Sequence, residues 1–197
     1  MNLPNKLTVS RFVLTGFFLW ALFSPLYYND TLALILFSAA SFTDFLDGKI
    51  ARSRNLITNF GKLMDPLADK ILICSAFVAF VESTHLNIHA PVRVAAWMVI
   101  IIVARELAIT GLRLLAASKN VVLAAERFGQ HKTVSQIVAI LALLITDARN
   151  EWPSAMRHWF EWVPPFAEVA LWVTVALTAT SGLIYLWRNR AMYLNDM

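Results

Sequence analysis

Residues 44–69 read DFLDGKIARSRNLITNFGKLMDPLAD, and apolar runs border them on both sides: TLALILFSAASF over 31–42 and KILICSAFVAFV over 70–81. Four aspartates stand in this stretch: Asp44, Asp47, Asp65 and Asp69. An ionisable side chain inside a membrane segment costs roughly 2.5–3.5 kcal/mol on insertion scales. Four charges of one sign also repel each other. Carboxylates crowded this way hold divalent cations, whose charge reverses the local electrostatics. The stretch therefore predicts a metal site at a membrane surface, a place for chemistry on phosphates.

The surrounding composition fits a membrane chain. Of 197 residues, 58% are hydrophobic and 15% charged, against about 25% charged in a soluble domain. Mean hydropathy is +0.60. One integral membrane domain over residues 1–197 is expected. The single cysteine, Cys74, lies in an apolar run, so it reads as a small hydrophobe and no intrachain disulfide is available. A net charge of +4 speaks to orientation and anionic lipid, and no nucleic-acid partner is expected. Lys6 and Arg11 ahead of the apolar run 12–23 resemble a signal peptide. YYND and a further hydrophobic segment follow, so the run reads as a first transmembrane helix that stays.

A spanning helix needs about 20 mostly apolar residues. Six stretches qualify: Leu7–Leu26, Thr31–Ala51, Gly61–Val81, Val92–Ala116, Thr133–Ile145 and Phe166–Trp187. The fifth is short, and an earlier start near Ala124 would bring in Arg127 and Lys132. Placing the N-terminus in the cytosol puts fourteen of the seventeen lysines and arginines on that side, leaving Arg93, Arg149 and Arg157 outside. This predicts an all-α, polytopic membrane protein with six transmembrane helices and both termini cytosolic. Its address would be a bacterial-type cytoplasmic membrane, with the aspartates facing the cytosol. Trp152, Trp159 and Trp162 read as an interfacial belt on the outer side.

Within the acidic stretch, Asp44 and Asp47 are i and i+3, and Asp65 and Asp69 are i and i+4, so each pair shares a helix face. Two helices joined by a short loop can aim both pairs at one point. The eight carboxylate oxygens suit hard cations such as Mg²⁺ or Mn²⁺. Two such ions stabilise an in-line displacement at phosphorus. Gly48 leaves room for a close approach, and Arg52 can pair with a phosphate. Plainer readings exist residue by residue. Asp65 before Pro66 has the form of a helix N-cap, and Asp44 and Asp47 can pair with Lys49 or Arg52 at a helix end. The joint pattern outruns them.

The stretch matches D-x2-D-G-x2-A-R-x8-G-x3-D-x3-D at every fixed position: Asp44, Asp47, Gly48, Ala51, Arg52, Gly61, Asp65 and Asp69. In this it resembles the CDP-alcohol phosphotransferase family, whose plan of six helices with the motif on the second and third covers the rest of the chain. The resemblance implies transfer of a substituted phosphate from a CDP-linked donor to an alcohol, with release of CMP. It implies that Asp44, Asp47 and Asp65 bind metal. Asp69 is then the general base on the acceptor hydroxyl and also a metal ligand, with Gly48 and Arg52 along the CDP moiety. The opening PNKLTVSR resembles the lipid-synthesising branch, where Asn5 and Thr8 place the cytidine end of the donor. Arg11 fits that entry or a positive-inside role equally. A homodimer is carried over from the family only.

A second polar cluster bears on the acceptor. Arg105 and Glu106 interrupt the run IIVARELAITGLRLL, Arg113 follows two turns later, and FGQHKTVSQ brings Lys132, Thr133 and Gln136. Charges in such a run must pair or face a cavity, and an Arg105–Glu106 salt bridge is one outcome. Arg105, Arg113 and Lys132 together would form a basic pocket for an anionic acceptor such as a phosphate monoester. These residues resemble the family branch that joins CDP-diacylglycerol to sn-glycerol 3-phosphate. Gln130 stands where relatives often carry a second basic residue, and His131 is either a partial substitute or a solvated loop histidine. Branches that make phosphatidylinositol phosphate, phosphatidylserine or cardiolipin compete with this reading. A divalent-cation transporter is a more distant rival, since it wants midplane carboxylates and internal repeats, which the sequence lacks.

Overall fold

A computed structural model describes the backbone of residues 3–54, 59–86, 91–118 and 128–190. Side chains are described over the same residues except 3–8, 44–63, 65–66, 84–86, 117–118 and 128–131. Among the described residues the chain is all helical. Six long helices appear, namely α1 (Leu3–Phe23), α2 (Asn29–Arg54), α3 (Asn59–Leu86), α4 (Ala96–Ser118), α5 (Phe128–Ala148) and α7 (Val163–Arg188). Between the last two lie a 3₁₀ turn, Arg149–Glu151, and the short α6, Ser154–Trp159, in a stretch outside the six spans expected from sequence.

The order of packing follows from small and aromatic side chains on the inner faces. α1 lies against α2 and α3, α5 against α2, α3 and α7, and α4 against α3 and α7. Buried alanines (Ala21, Ala33, Ala40, Ala76, Ala139 and Ala167) let backbones approach, as packing between apolar helices requires. Phe18 and Phe37 fill the space between α1 and α2 with ring centroids 5.5 Å apart, and Phe77, Phe80, Ile102, Ile140 and Leu144 continue the core. The outer faces are also apolar. Phe17, Ile35, Phe42, Val78, Ile100, Leu107, Val134 and Leu183 all stand exposed. Helices that are apolar on every side belong inside a larger body or in lipid. By length and composition, α7 is long and apolar enough to cross a membrane among the described residues, and Val9–Phe23 is a shorter apolar helix.

The helix ends explain how the segment between α5 and α7 is tied down. The first backbone donors of a helix have no partner inside it. For α2 the partner is remote: Glu151 Oε1 accepts from the Asp30 amide at 2.8 Å, and Oε2 accepts from the Thr31 amide and hydroxyl at 2.9 and 2.5 Å. Trp152 Nε1 donates to the same Thr31 hydroxyl at 2.9 Å, and its ring meets Phe160 at 5.0 Å. Trp152 is thus a half-buried clamp, whereas Trp159 and Trp162 are exposed. α7 begins with prolines in its first turn, where a missing amide hydrogen costs nothing, and Asn189 closes it by donating Nδ2 to Tyr185 O at 2.8 Å.

Candidate active site

The backbone carries the motif residues as the spacing predicts. Asn5 and Thr8 lie in the first turns of α1. Asp44, Asp47, Gly48 and Arg52 lie in the last three turns of α2, and Asp65 and Asp69 in the first three turns of α3. Of this set only Asp69 has a described side chain. The side chains of Asn5, Thr8, Asp44, Asp47, Gly48, Arg52 and Asp65 lie outside the described residues.

Asp69 is half-buried and feels a cationic group drawn from three helices. It interacts electrostatically with its neighbour Lys70 and with Lys132 of α5, and both lysines in turn sense Arg105 of α4. Arg113, two turns along α4 from Arg105, also acts on Lys70. Arg105, Arg113 and Lys132, the three basic residues singled out by sequence, are therefore brought to one region. Lys70, which the charge pattern marked only as a positive-inside residue, is a fourth member. Burial of α3 against α4 explains its capture, since Lys70 Nζ donates to Thr110 Oγ1 on α4.

Glu106 sits at the centre. It is buried, and so are Lys132 and Gln136. Its carboxylate forms an ion pair with Lys132 Nζ, and its Oε1 also accepts from Arg105 Nη1 at 3.4 Å and from Gln136 Nε2 at 3.5 Å. Lys132 and Gln136 are i and i+4 on α5, so one face of that helix meets Glu106 with two donors. Thr110 Oγ1 donates to Glu106 O at 2.7 Å, closing the turn on which both α4 residues stand. The expected Arg105–Glu106 contact exists, but Lys132 is the closer partner. Among the described side chains, four cations here face two carboxylates, a positive surplus that a dianionic phosphate would offset.

α7 supplies the remaining wall. Arg105 Nη2 donates to Ser181 Oγ at 3.4 Å, and the Arg113 guanidinium lies 5.9 Å from the centre of the buried Tyr185 ring. A planar cation over an aromatic face is held there by the ring quadrupole. Arg11, on α1, is almost wholly buried at 1% exposure, so its guanidinium stem packs inside the bundle.

Comparison with known proteins gives one answer. The family described as CDP-alcohol phosphatidyltransferase matches residues 1–188. The chain is 40% identical over 200 residues to the CDP-diacylglycerol–glycerol-3-phosphate 3-phosphatidyltransferase of Bacillus subtilis (strain 168), covering 95% of each chain. It is 34% identical over 188 residues to the protein of the same description from Rickettsia felis, covering 93% of each. With the one from Escherichia coli (strain K12) it shares 33% over 202 residues, which is 99% of this chain and 98% of the relative.

Proposed function

Because the chain belongs to the CDP-alcohol phosphatidyltransferase family, we propose that it transfers the phosphatidyl group of CDP-diacylglycerol to sn-glycerol 3-phosphate. The products are phosphatidylglycerophosphate and CMP. The observation that carries this reading is the gathering, around Asp69 of α3, of cations from α3, α4 and α5, with Lys132 buried among them against Glu106. An acceptor without net charge, such as zwitterionic serine, has no use for that surplus of positive charge. A phosphate monoester does.

The donor atoms of the motif fit a divalent metal. Four aspartates offer oxygen only, the ligand type of hard cations, and α2 and α3 carry them at the motif offsets. Asp44, Asp47, Asp65 and Asp69 would hold Mg²⁺ or Mn²⁺, two ions in all. Bound there, the ions supply neutralisation of the charge that grows on the phosphate oxygens.

The rest belongs to the protein. Asn5 and Thr8 on α1, with Gly48 and Arg52 on α2, hold the cytidine and pyrophosphate of the donor. Arg105, Arg113 and Lys132 bind the phosphate of glycerol 3-phosphate. Lys132 keeps donors to spare in its pairing with Glu106, since an ammonium has three. Asp69 accepts the proton of the acceptor hydroxyl. The hydroxyl oxygen bonds to the phosphorus that carries diacylglycerol, the pyrophosphate P–O bond breaks, and CMP leaves with the electron pair.

The described helices expose apolar side chains outward, which supports a bilayer around them. Residues 1–197 form one multi-pass domain in this reading. Its six long helices span a bacterial cytoplasmic membrane, both termini and the active site face the cytosol, and two copies associate. The deciding experiment gives purified protein in mixed micelles CDP-diacylglycerol with each of four acceptors: glycerol 3-phosphate, serine, inositol phosphate and phosphatidylglycerol. CMP release is followed. Release with glycerol 3-phosphate alone supports the assignment, and preference for another acceptor transfers it to that branch.

A further inference from the structure

Arg105 is held by α7 at two consecutive residues. Its guanidinium reaches Ser181, with Nη2 donating to Oγ at 3.4 Å. Its stem crosses Gly182: a Cβ placed there would lie 2.7 Å from Arg105 Cγ, 3.6 Å from Cβ and 3.8 Å from Cδ. The first distance is far inside van der Waals contact. It falls at the root of the side chain, not at its mobile tip. Relief would require a new rotamer at the first torsions of Arg105 or separation of α4 from α7. Gly16 and Gly111, by contrast, have open space where a Cβ would stand. Glycine is an unfavourable residue in a helix interior, so local propensity argues for alanine at position 182. The arginine stem supplies the reason against it.

We propose that Ser181 and Gly182 are positioning residues for the acceptor phosphate, acting through Arg105. Gly182 lets the arginine lie flat on α7, and Ser181 fixes the direction in which its head extends. The inference rests on the acceptor role given to Arg105 above. Neither α7 residue touches substrate. Their effect should appear as a change in acceptor affinity, with donor affinity and metal binding untouched.

The test measures kcat and both KM values for the wild type, Gly182→Ala, Ser181→Ala, Arg105→Ala and the double variant Gly182→Ala/Arg105→Ala. Gly182→Ala should raise KM for glycerol 3-phosphate about tenfold, the equivalent of about 1.4 kcal/mol. KM for CDP-diacylglycerol should stay within about twofold. Ser181→Ala, which removes a single long hydrogen bond, should raise acceptor KM about threefold. In the Arg105→Ala background Gly182→Ala should add almost nothing, because residues acting through one group are not additive. The same rise in that background, or equal rises for both substrates, overturns the inference. So does an unchanged acceptor KM in Ser181→Ala, the variant that carries the test if Gly182→Ala fails to fold. An Arg105→Ala protein with normal acceptor KM removes the inference but leaves the reaction standing. A wild type that releases no CMP with glycerol 3-phosphate overturns the reaction and, with it, the inference.

Discussion

Glu106 of α4 and Lys132 of α5 form an ion pair with both side chains out of solvent, at 9% and 8% exposure. Removing one partner of such a pair leaves a buried charge uncompensated and typically costs about 3–5 kcal/mol. Replacing both by neutral groups of similar shape is close to neutral. Glu106→Gln should therefore lower the unfolding midpoint sharply in detergent, and Glu106→Gln combined with Lys132→Met should recover most of it. The double variant should still fail to turn over, since a phosphate ligand is gone. A double variant no more stable than the single one would show that the pair is not what the fold depends on.

The three motif aspartates ahead of Asp69 are assigned to metal. Asp44→Asn, Asp47→Asn and Asp65→Asn should each abolish CMP release while the protein still inserts into the membrane. An amide keeps the shape but loses the charge that a hard cation requires. EDTA should silence the wild type, and Mg²⁺ or Mn²⁺ should restore it. Near wild-type turnover in any one variant would take that residue out of the ligand set.

On the acceptor side, Arg113→Ala and Lys132→Ala should raise KM for glycerol 3-phosphate, with KM for CDP-diacylglycerol changed much less. Loss of one partner of a desolvated charge pair costs on the order of 2–5 kcal/mol. Arg113, more exposed and resting on Tyr185, should fall at the low end. Parallel weakening of both substrates would assign the residues to structure or to the donor.

Much of this architecture is legible in the sequence, and the exceptions have physical causes. Apolar length gives the six long helices. It misplaces the start of α4, because Val92 and Val94 are buried in an irregular lead-in that begins at Pro91. Burial in an irregular segment and burial in a helix look alike in composition. The short α6 hides among Trp, His and Pro residues that also suit a loop. At the candidate site, the motif spacing is legible in the sequence, and α2 and α3 carry the four aspartates at those offsets. Glu106 is harder. Its sequence neighbour Arg105 looks like its natural partner, yet adjacent residues on a helix do not face each other, and the better partner comes from α5. Gly182 gives no signal at all, because the crowding that demands glycine comes from a residue 77 positions earlier in the chain.

Asp69 is the sharpest case, because one variant separates two roles. As a base it must take the acceptor's proton. As a ligand it must only hold charge near the metal. Asparagine keeps the size and an oxygen acceptor but cannot accept a proton at working pH. If Asp69 is the base, Asp69→Asn should bind CDP-diacylglycerol with near wild-type affinity by calorimetry and release no CMP in a single turnover. Asp69 acts on Lys70 and Lys132, which puts it beside the cations proposed to hold the acceptor phosphate. Loss of donor binding in Asp69→Asn would move the residue wholly into the metal shell. Normal turnover would remove it from the mechanism.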